Sequence, residues 1–135
     1  MVTEDMVNTC VRTYYSTLAG VSFRILGELD ATRVGYLTGL YAEGFKPRID
    51  SLHATSGYNV AARAFQCARG AGAYQFLIDR VTFVEWDGDV CIAVKATRQA
   101  PNMVSAEFLE VFVASLDGEN LLIKQQSYNE STFVR

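Results

Sequence analysis

Between Tyr74 and Tyr128 apolar residues recur at every second position, and three short turn signals cut the run into four pieces. Strict alternation of this kind is the mark of extended strands with one buried face. Tyr74, Phe76 and Ile78 share one face, and Val81 and Phe83 follow in the opposite phase. A phase slip at Asp79–Arg80 is what a bulge or a sharp bend produces. Asp87–Gly88 reads as a hairpin turn, and the return strand carries Val90, Ile92, Val94 and Ala96 on one face. Ala100–Pro101–Asn102 is the next turn. A strand over 103–115 then places Val104, Ala106, Phe108, Phe112 and Ala114 on one side. Asp117–Gly118–Glu119–Asn120 is the third turn, and Leu121 to Tyr128 form the last strand. The second half of the chain is therefore a meander of four long antiparallel strands.

The first half has helical periods instead. Met6, Val7, Cys10, Val11, Tyr14, Tyr15 and Leu18 fall three and four apart, behind Thr3 or Glu4–Asp5 as a start and before Gly20 as a stop. Asp30 caps a second helix in which Val34, Leu37, Leu40 and Tyr41 keep the same period, with Gly44 at its end. The stretch between them, VSFRILGEL, reads either as a helical turn or as a packed loop. After Pro47 the segment RIDSLHA suits a short strand, and Gly57 precedes an alanine-rich third helix, YNVAARAFQCA. The expected architecture is α+β: three N-terminal helices packed in a strongly bent antiparallel sheet, as one domain over residues 1–135.

The sheet's second face is unusual. Opposite Phe108 and Phe112 stand Leu109, Val111 and Val113, and parity along the last strand assigns Leu121 and Ile123 to the same side. A solvated face would alternate to polar residues there. Either a second polypeptide covers this face, which is the leading reading, or loops or the 20–30 segment fold over it. An ordinary interface, roughly 800 Å² per partner, supplies ample hydrophobic driving force.

Composition excludes several classes. Of 135 residues 50% are hydrophobic and 20% charged, too apolar for disorder, and no apolar run is long enough to span a bilayer. The opening MVTEDM has no apolar core of a secretory signal. A net charge of −3 gives no overall field for nucleic acid, and Lys46, Arg48, Arg63, Arg69, Arg80, Lys95 and Arg98 are scattered without an aromatic platform. Three widely spaced cysteines, Cys10, Cys67 and Cys91, suggest buried free thiols in a reducing compartment. With one histidine, His53, and no CxxC or HxxxH, no metal site is expected, and no cofactor is implied.

The order of elements resembles the nuclear transport factor 2-like superfamily, and three stretches carry the likeness. CVRTYYSTL is similar to the first-helix signature of its nuclear-transport branch, LTGLYAEG to the end of the second helix, and EFLEVFVASLDG to the penultimate strand. SGYNVAARAF looks like the glycine-initiated third helix. The resemblance implies a cone with the helices inside a curved sheet whose open face forms a homodimer or a heterodimer. Members of that branch carry the GTPase Ran, bind nucleoporin repeats, or serve as the small subunit of the mRNA-export receptor. The same fold hosts isomerases and dehydratases, so fold alone does not fix function. The acidic turn that engages Ran would fall on Arg98 to Met103, which here is RQAPNM with no carboxylate. That departure argues against Ran carriage. Glu110 stands where the branch has glutamine, and Gln125 to Asn129 depart from its usual last strand.

Individual residues admit two readings each. Glu110 shares a face with Phe108 and Phe112, so it points into the cone, either as a general base or paired with Arg63 or Lys95 near the mouth. Tyr14 and Tyr15 either orient a ligand oxygen or are core aromatics. His53 beside Asp50 invites acid–base chemistry, yet a lone histidine of this kind is more often an ordinary surface residue. Trp86, at the Asp87–Gly88 turn, either anchors a partner or closes the core edge.

The expected function is a non-enzymatic nucleocytoplasmic transport subunit, the small dimerising partner of an mRNA-export receptor, with a share in binding phenylalanine–glycine nucleoporin repeats. Its expected interface is Leu109, Val111, Val113, Leu121 and Ile123, with a heterodimer favoured over a homodimer and with no direct nucleic-acid or membrane contact. Its expected location is nucleus and cytoplasm, at the nuclear envelope and pore. The alternatives are a ketosteroid-isomerase or dehydratase-like enzyme, with Glu110 or Asp79 as base and Tyr14 as hydrogen-bond donor, and a homodimeric protein-binding adaptor.

Overall fold

Thr3 starts the first helix, α1 (Glu4–Ala19), as its hydroxyl accepts a 3.2 Å hydrogen bond from the Met6 amide. Glu4 and Asp5 place negative charge in the first turn, where the helix dipole favours it. Val7, Val11, Tyr14, Tyr15 and Leu18 form the buried stripe that the periodicity predicts. The computed structural model describes residues 2–25, 28–46, 60–69, 74–100 and 104–132.

The stretch after Gly20 is neither a helical turn nor a plain loop. Its β1 (Phe23–Ile25) and β2 (Glu28–Leu29) pair antiparallel. Val21 is buried, and Phe23 and Leu29 pack against the core, so this segment lines the inner side of the molecule. The second helix, α2 (Ala31–Thr38), is capped by Asp30, whose Oδ1 accepts from the amides of Thr32 and Arg33. It stops at Gly39, short of the expected Gly44, because a competing partner takes the backbone. The Ile123 amide donates to the Leu40 carbonyl and the Ala42 amide donates to the Ile123 carbonyl, so Tyr41 bridges in parallel to the last strand.

The third helix is α3 (Val60–Arg69). Of the three helices expected, one is long, with 16 residues, and the other two are short, with 8 and 10. The proposed strand after Pro47, together with Asp50 and His53, lies outside the described residues.

Four antiparallel strands follow in the order β3 (Gln75–Trp86), β4 (Asp89–Gln99), β5 (Ala106–Asp117) and β6 (Asn120–Thr132). The β3–β4 turn needs positive φ at both central residues, which Asp87 (52°) and Gly88 (83°) supply. Register shifts between Ile78 and Arg80, so Phe76 and Ile78 before it and Val81 and Phe83 after it all pack against the core. The expected phase slip is a bulge, and its effect is to keep the inner face continuous while bending the strand.

A second irregularity, between Val113 and Ala114, corrects the expectation for the last strand. Directly paired residues share a face of a sheet. Buried Ala114 faces Ile123, and Leu116 faces Leu121, before the register slips and Val113 faces Gln125. Leu121 and Ile123 are therefore core residues, 8% and 1% exposed, and neither belongs to the outer face. Counting parity along one strand fails wherever a bulge inserts a residue.

Candidate functional site: an open sheet face over a buried polar cluster

The outer face is built by rows of residues across the four strands. One row is Thr82, Ala93, Val111 and Ser127, and the next is Val84, Cys91, Val113 and Gln125. Leu109 stands beside Lys95 and Asn129 in the row below. Leu109 is 46% exposed and Val84 64%, while Val111 and Val113 are half-buried by their neighbours. Small side chains and β-branched aliphatics make up the middle of this surface, and charges stand at both ends, Arg80, Lys95 and Glu107 at one and the Asp89–Lys124 ion pair at the other. Sequence reasoning found the β5 part of this surface. It missed Val84, Cys91 and Ala93: the Asp87–Gly88 hairpin pairs Val84 with Cys91, and the β4–β5 register sets Cys91 beside Val113 and Ala93 beside Val111. Cys91 is exposed, against the expectation that all three thiols are buried; all three are free.

Trp86 is 78% exposed at the tip of the same hairpin. It does not close the core edge. The neighbouring Glu85 instead ties the hairpin to the start of the chain, as its carboxylate accepts from the Val2 amide at 3.0 Å.

On the inner face, β5 brings Glu110 between Phe108 and Phe112, completely buried. Arg63 of α3 donates through Nη1 to Oε1 (3.0 Å) and Oε2 (2.9 Å) of Glu110. Tyr15 of α1 donates its hydroxyl to Oε1 at 2.6 Å, and Gln126 of β6 donates through Nε2 to Oε2 at 3.1 Å. Burial opposes the charge of Arg63, but Glu110 outweighs it and holds the guanidinium firmly protonated. The guanidinium also stacks 4.2 Å above the ring of Tyr128. Of the two partners weighed for Glu110, Arg63 is the one found; Lys95 faces outward.

A closed ring of hydrogen bonds extends this cluster. Gln126 donates to the Tyr14 hydroxyl at 3.0 Å, the Tyr14 and Tyr41 hydroxyls lie 3.3 Å apart, and Tyr41 donates to the Gln126 Oε1. The only consistent sense has Tyr14 donating to Tyr41, which fixes the orientation of the Gln126 amide. Burial first, and the Glu110 charge second, push the Tyr14 phenol up to about 12 and raise Tyr15 as well. Beyond Tyr128, Arg98 donates to both oxygens of Glu130, through Nε at 2.8 Å and Nη2 at 2.5 Å, and Tyr128 donates to the same carboxylate.

Of the residues named for the enzyme reading, Glu110 and Tyr14 share one buried cluster, and Asp79 stands outside it. Asp79 lies in the β3 bulge, exposed, and is not part of the Glu110 cluster. Tyr14 reaches Glu110 only through Gln126, whereas Tyr15 bonds it directly. Gln126 and Tyr41 were not singled out in the sequence; their place depends on the β5–β6 register and on the Tyr41–Ile123 bridge, which have no local signal.

No family model and no curated protein matches this chain. Solved structures do. A chain of the yeast deubiquitinase Ubp3 and Bre5 cofactor complex superposes with a TM-score of 0.63 at 11% identity, over 96% of this chain and 97% of that one. Bd1075 of Bdellovibrio bacteriovorus gives 0.59 at 9% identity, over 96% of this chain and 40% of that one. At such identities the likeness is one of fold: a mixed α+β domain compatible with the nuclear transport factor 2-like cone.

Proposed function

We propose that this chain is a non-enzymatic protein-binding subunit that associates through the outer face of its sheet, as the small dimerising partner of an mRNA-export receptor. One observation carries the reading: Val84, Leu109, Val111 and Val113 form an apolar face that no described residue covers. Exposed apolar surface of this continuity marks an association site. Four strands about 4.8 Å apart, each rising ~3.3 Å per residue, offer a face on the order of 700 Å², close to one side of a stable interface. The fold likeness to a chain of a deubiquitinase–cofactor complex is in keeping with a domain that works by binding protein.

The transport assignment rests on the sequence resemblance of the first two helices and β5, and it places the subunit in nucleus and cytoplasm, at the pore. The absence of a carboxylate from Arg98 to Met103 disfavours Ran as the partner, and nucleoporin repeats are the favoured second ligand. A role as acid–base enzyme is disfavoured because Arg63, Tyr15 and Gln126 already occupy both oxygens of fully buried Glu110.

Val111→Arg tests the assembly. Tagged wild-type chain purified from its native cells is expected to carry a stoichiometric protein partner in native mass spectrometry. An unpaired charge in the interface costs a few kcal/mol, so the variant is expected to arrive alone. A partner retained by Val111→Arg, or a wild-type chain that is monomeric and partnerless, overturns the proposal.

A further inference from the structure

We propose that the groove between α1 and the start of β6 binds a short extended peptide segment in which an apolar side chain is flanked by lysine or arginine. The groove has a volume of about 570 Å³. That volume is in the range of sites that hold ligands. Met6 and Cys10 from one face of α1, Leu40 just beyond α2, and Leu121 give it apolar walls.

Its floor is a strand edge. Among the described residues β6 is the terminal strand of the sheet, and the short bridge at Tyr41 is what pairs with its free side. Both backbone groups of Ile123 point to that free side, where Leu40 and Ala42 take them. Backbone direction alternates along a regular strand, so Leu121, two residues earlier, presents its amide and carbonyl to the groove. The carbonyl receives the Cys10 thiol at 3.8 Å, a weak contact that a peptide amide can replace. An open edge beside apolar pockets is the arrangement by which extended peptides add as a further strand.

Charge selects the peptide. Among the described residues the carboxylates lining the groove are Asp5 and Glu119, both exposed, and no lysine or arginine lines it. Neither carboxylate has an ion-pair partner among the described residues. One stands on α1 and the other on the β5–β6 turn, so each border of the groove carries a carboxylate for a basic residue of the peptide to meet.

The test uses the full chain and a fluorescein-labelled octapeptide, Gly-Lys-Leu-Lys-Phe-Lys-Gly-Ser, with a counterpart bearing glutamate for each lysine. The basic peptide is expected to raise fluorescence anisotropy and to bind at least roughly tenfold more tightly than the acidic one, about one charge-assisted contact's worth. Asp5→Lys with Glu119→Lys, two surface changes, is expected to reverse that preference. N-methylation of the central phenylalanine amide, which leaves the protein untouched, is expected to weaken binding about tenfold by removing one strand-pairing bond. Val111→Arg, on the outer sheet face, is expected to leave peptide affinity within about twofold. Equal binding of the two peptides, no binding at millimolar concentration, or a preference unchanged by the double reversal overturns the proposal.

Discussion

Arg63 reaches both oxygens of Glu110 through one nitrogen, Nη1, at 3.0 and 2.9 Å, across a sequence separation of 47 residues. The contact joins α3 to the middle of the sheet and leaves the carboxylate without exposure to water. Arg63→Met strands a buried charge and is expected to cost about 3–5 kcal/mol in a urea titration. Arg63→Met with Glu110→Met is expected to recover a large part of that loss, short of wild type because Tyr15 and Gln126 lose an acceptor. A double variant no more stable than the single one argues against an uncompensated charge as the cause.

The tyrosine cluster sets an alkaline limit. The Tyr14 phenol is at about 12 in the folded chain against an ordinary value of 10. The folded state thus holds this proton more tightly, and the stability it contributes is complete below pH 10 and lost as pH climbs toward 12. Wild type is expected to unfold cooperatively in that window, with tyrosinate absorbance rising together with loss of circular dichroism. Tyr14→Phe is expected to remove up to about 3 kcal/mol of this pH-dependent contribution. Gradual tyrosine ionisation in a chain that stays folded contradicts this.

Glu130 gives the acid side its own signature. Hydrogen bonding from Arg98 holds its carboxyl below the usual 4.5, against the opposing effect of partial burial, and Tyr128 assists. A lowered value adds stability above 4.5 that disappears as pH falls through the folded value. Glu130→Gln is expected to flatten the stability curve below pH 4.5 while Arg98 loses its partner at all pH values. Thermal melts across that range read both effects, and an acid limb as steep as wild type's would remove Glu130 as its source.

The two sides of β5 and β6 should separate in mutagenesis. Ile123→Ala empties a core position 1% exposed and is expected to cost about 2–5 kcal/mol of folding stability. Val113→Ser changes a half-buried outer residue and is expected to shift the unfolding midpoint of the isolated chain little while weakening association. Calorimetry and sedimentation on the two variants distinguish them; equal destabilisation would mean that Val113 is also enclosed by its own chain.

The meander was readable because period-two patterning and Gly at positive φ are local signals, and Gly88 and Gly118 sit where the turns need them. The inward direction of Glu110 followed from the same parity. What escaped depended on long-range pairing. Leu121 and Ile123 were assigned outward because the bulge at Val113 and Ala114 lies in the partner register, which a single strand does not encode. The early end of α2 likewise follows from Ile123, more than eighty residues away, taking the backbone at Leu40 and Ala42. The first-helix tyrosines were visible as a pair, yet which one bonds Glu110 was decided by helix rotation.

Cys91 gives the sheet face its own gauge of occupancy. Cys67 is buried and Cys10 is partly shielded; burial pushes both thiols up, to about 12 and about 11, while Cys91 stands exposed between Val84 and Val113. Alkylating reagents attack thiolates that they can reach. One fast-reacting sulfur per molecule therefore reports an uncovered surface, and its silence in a cell extract would time-stamp the arrival of whatever docks there.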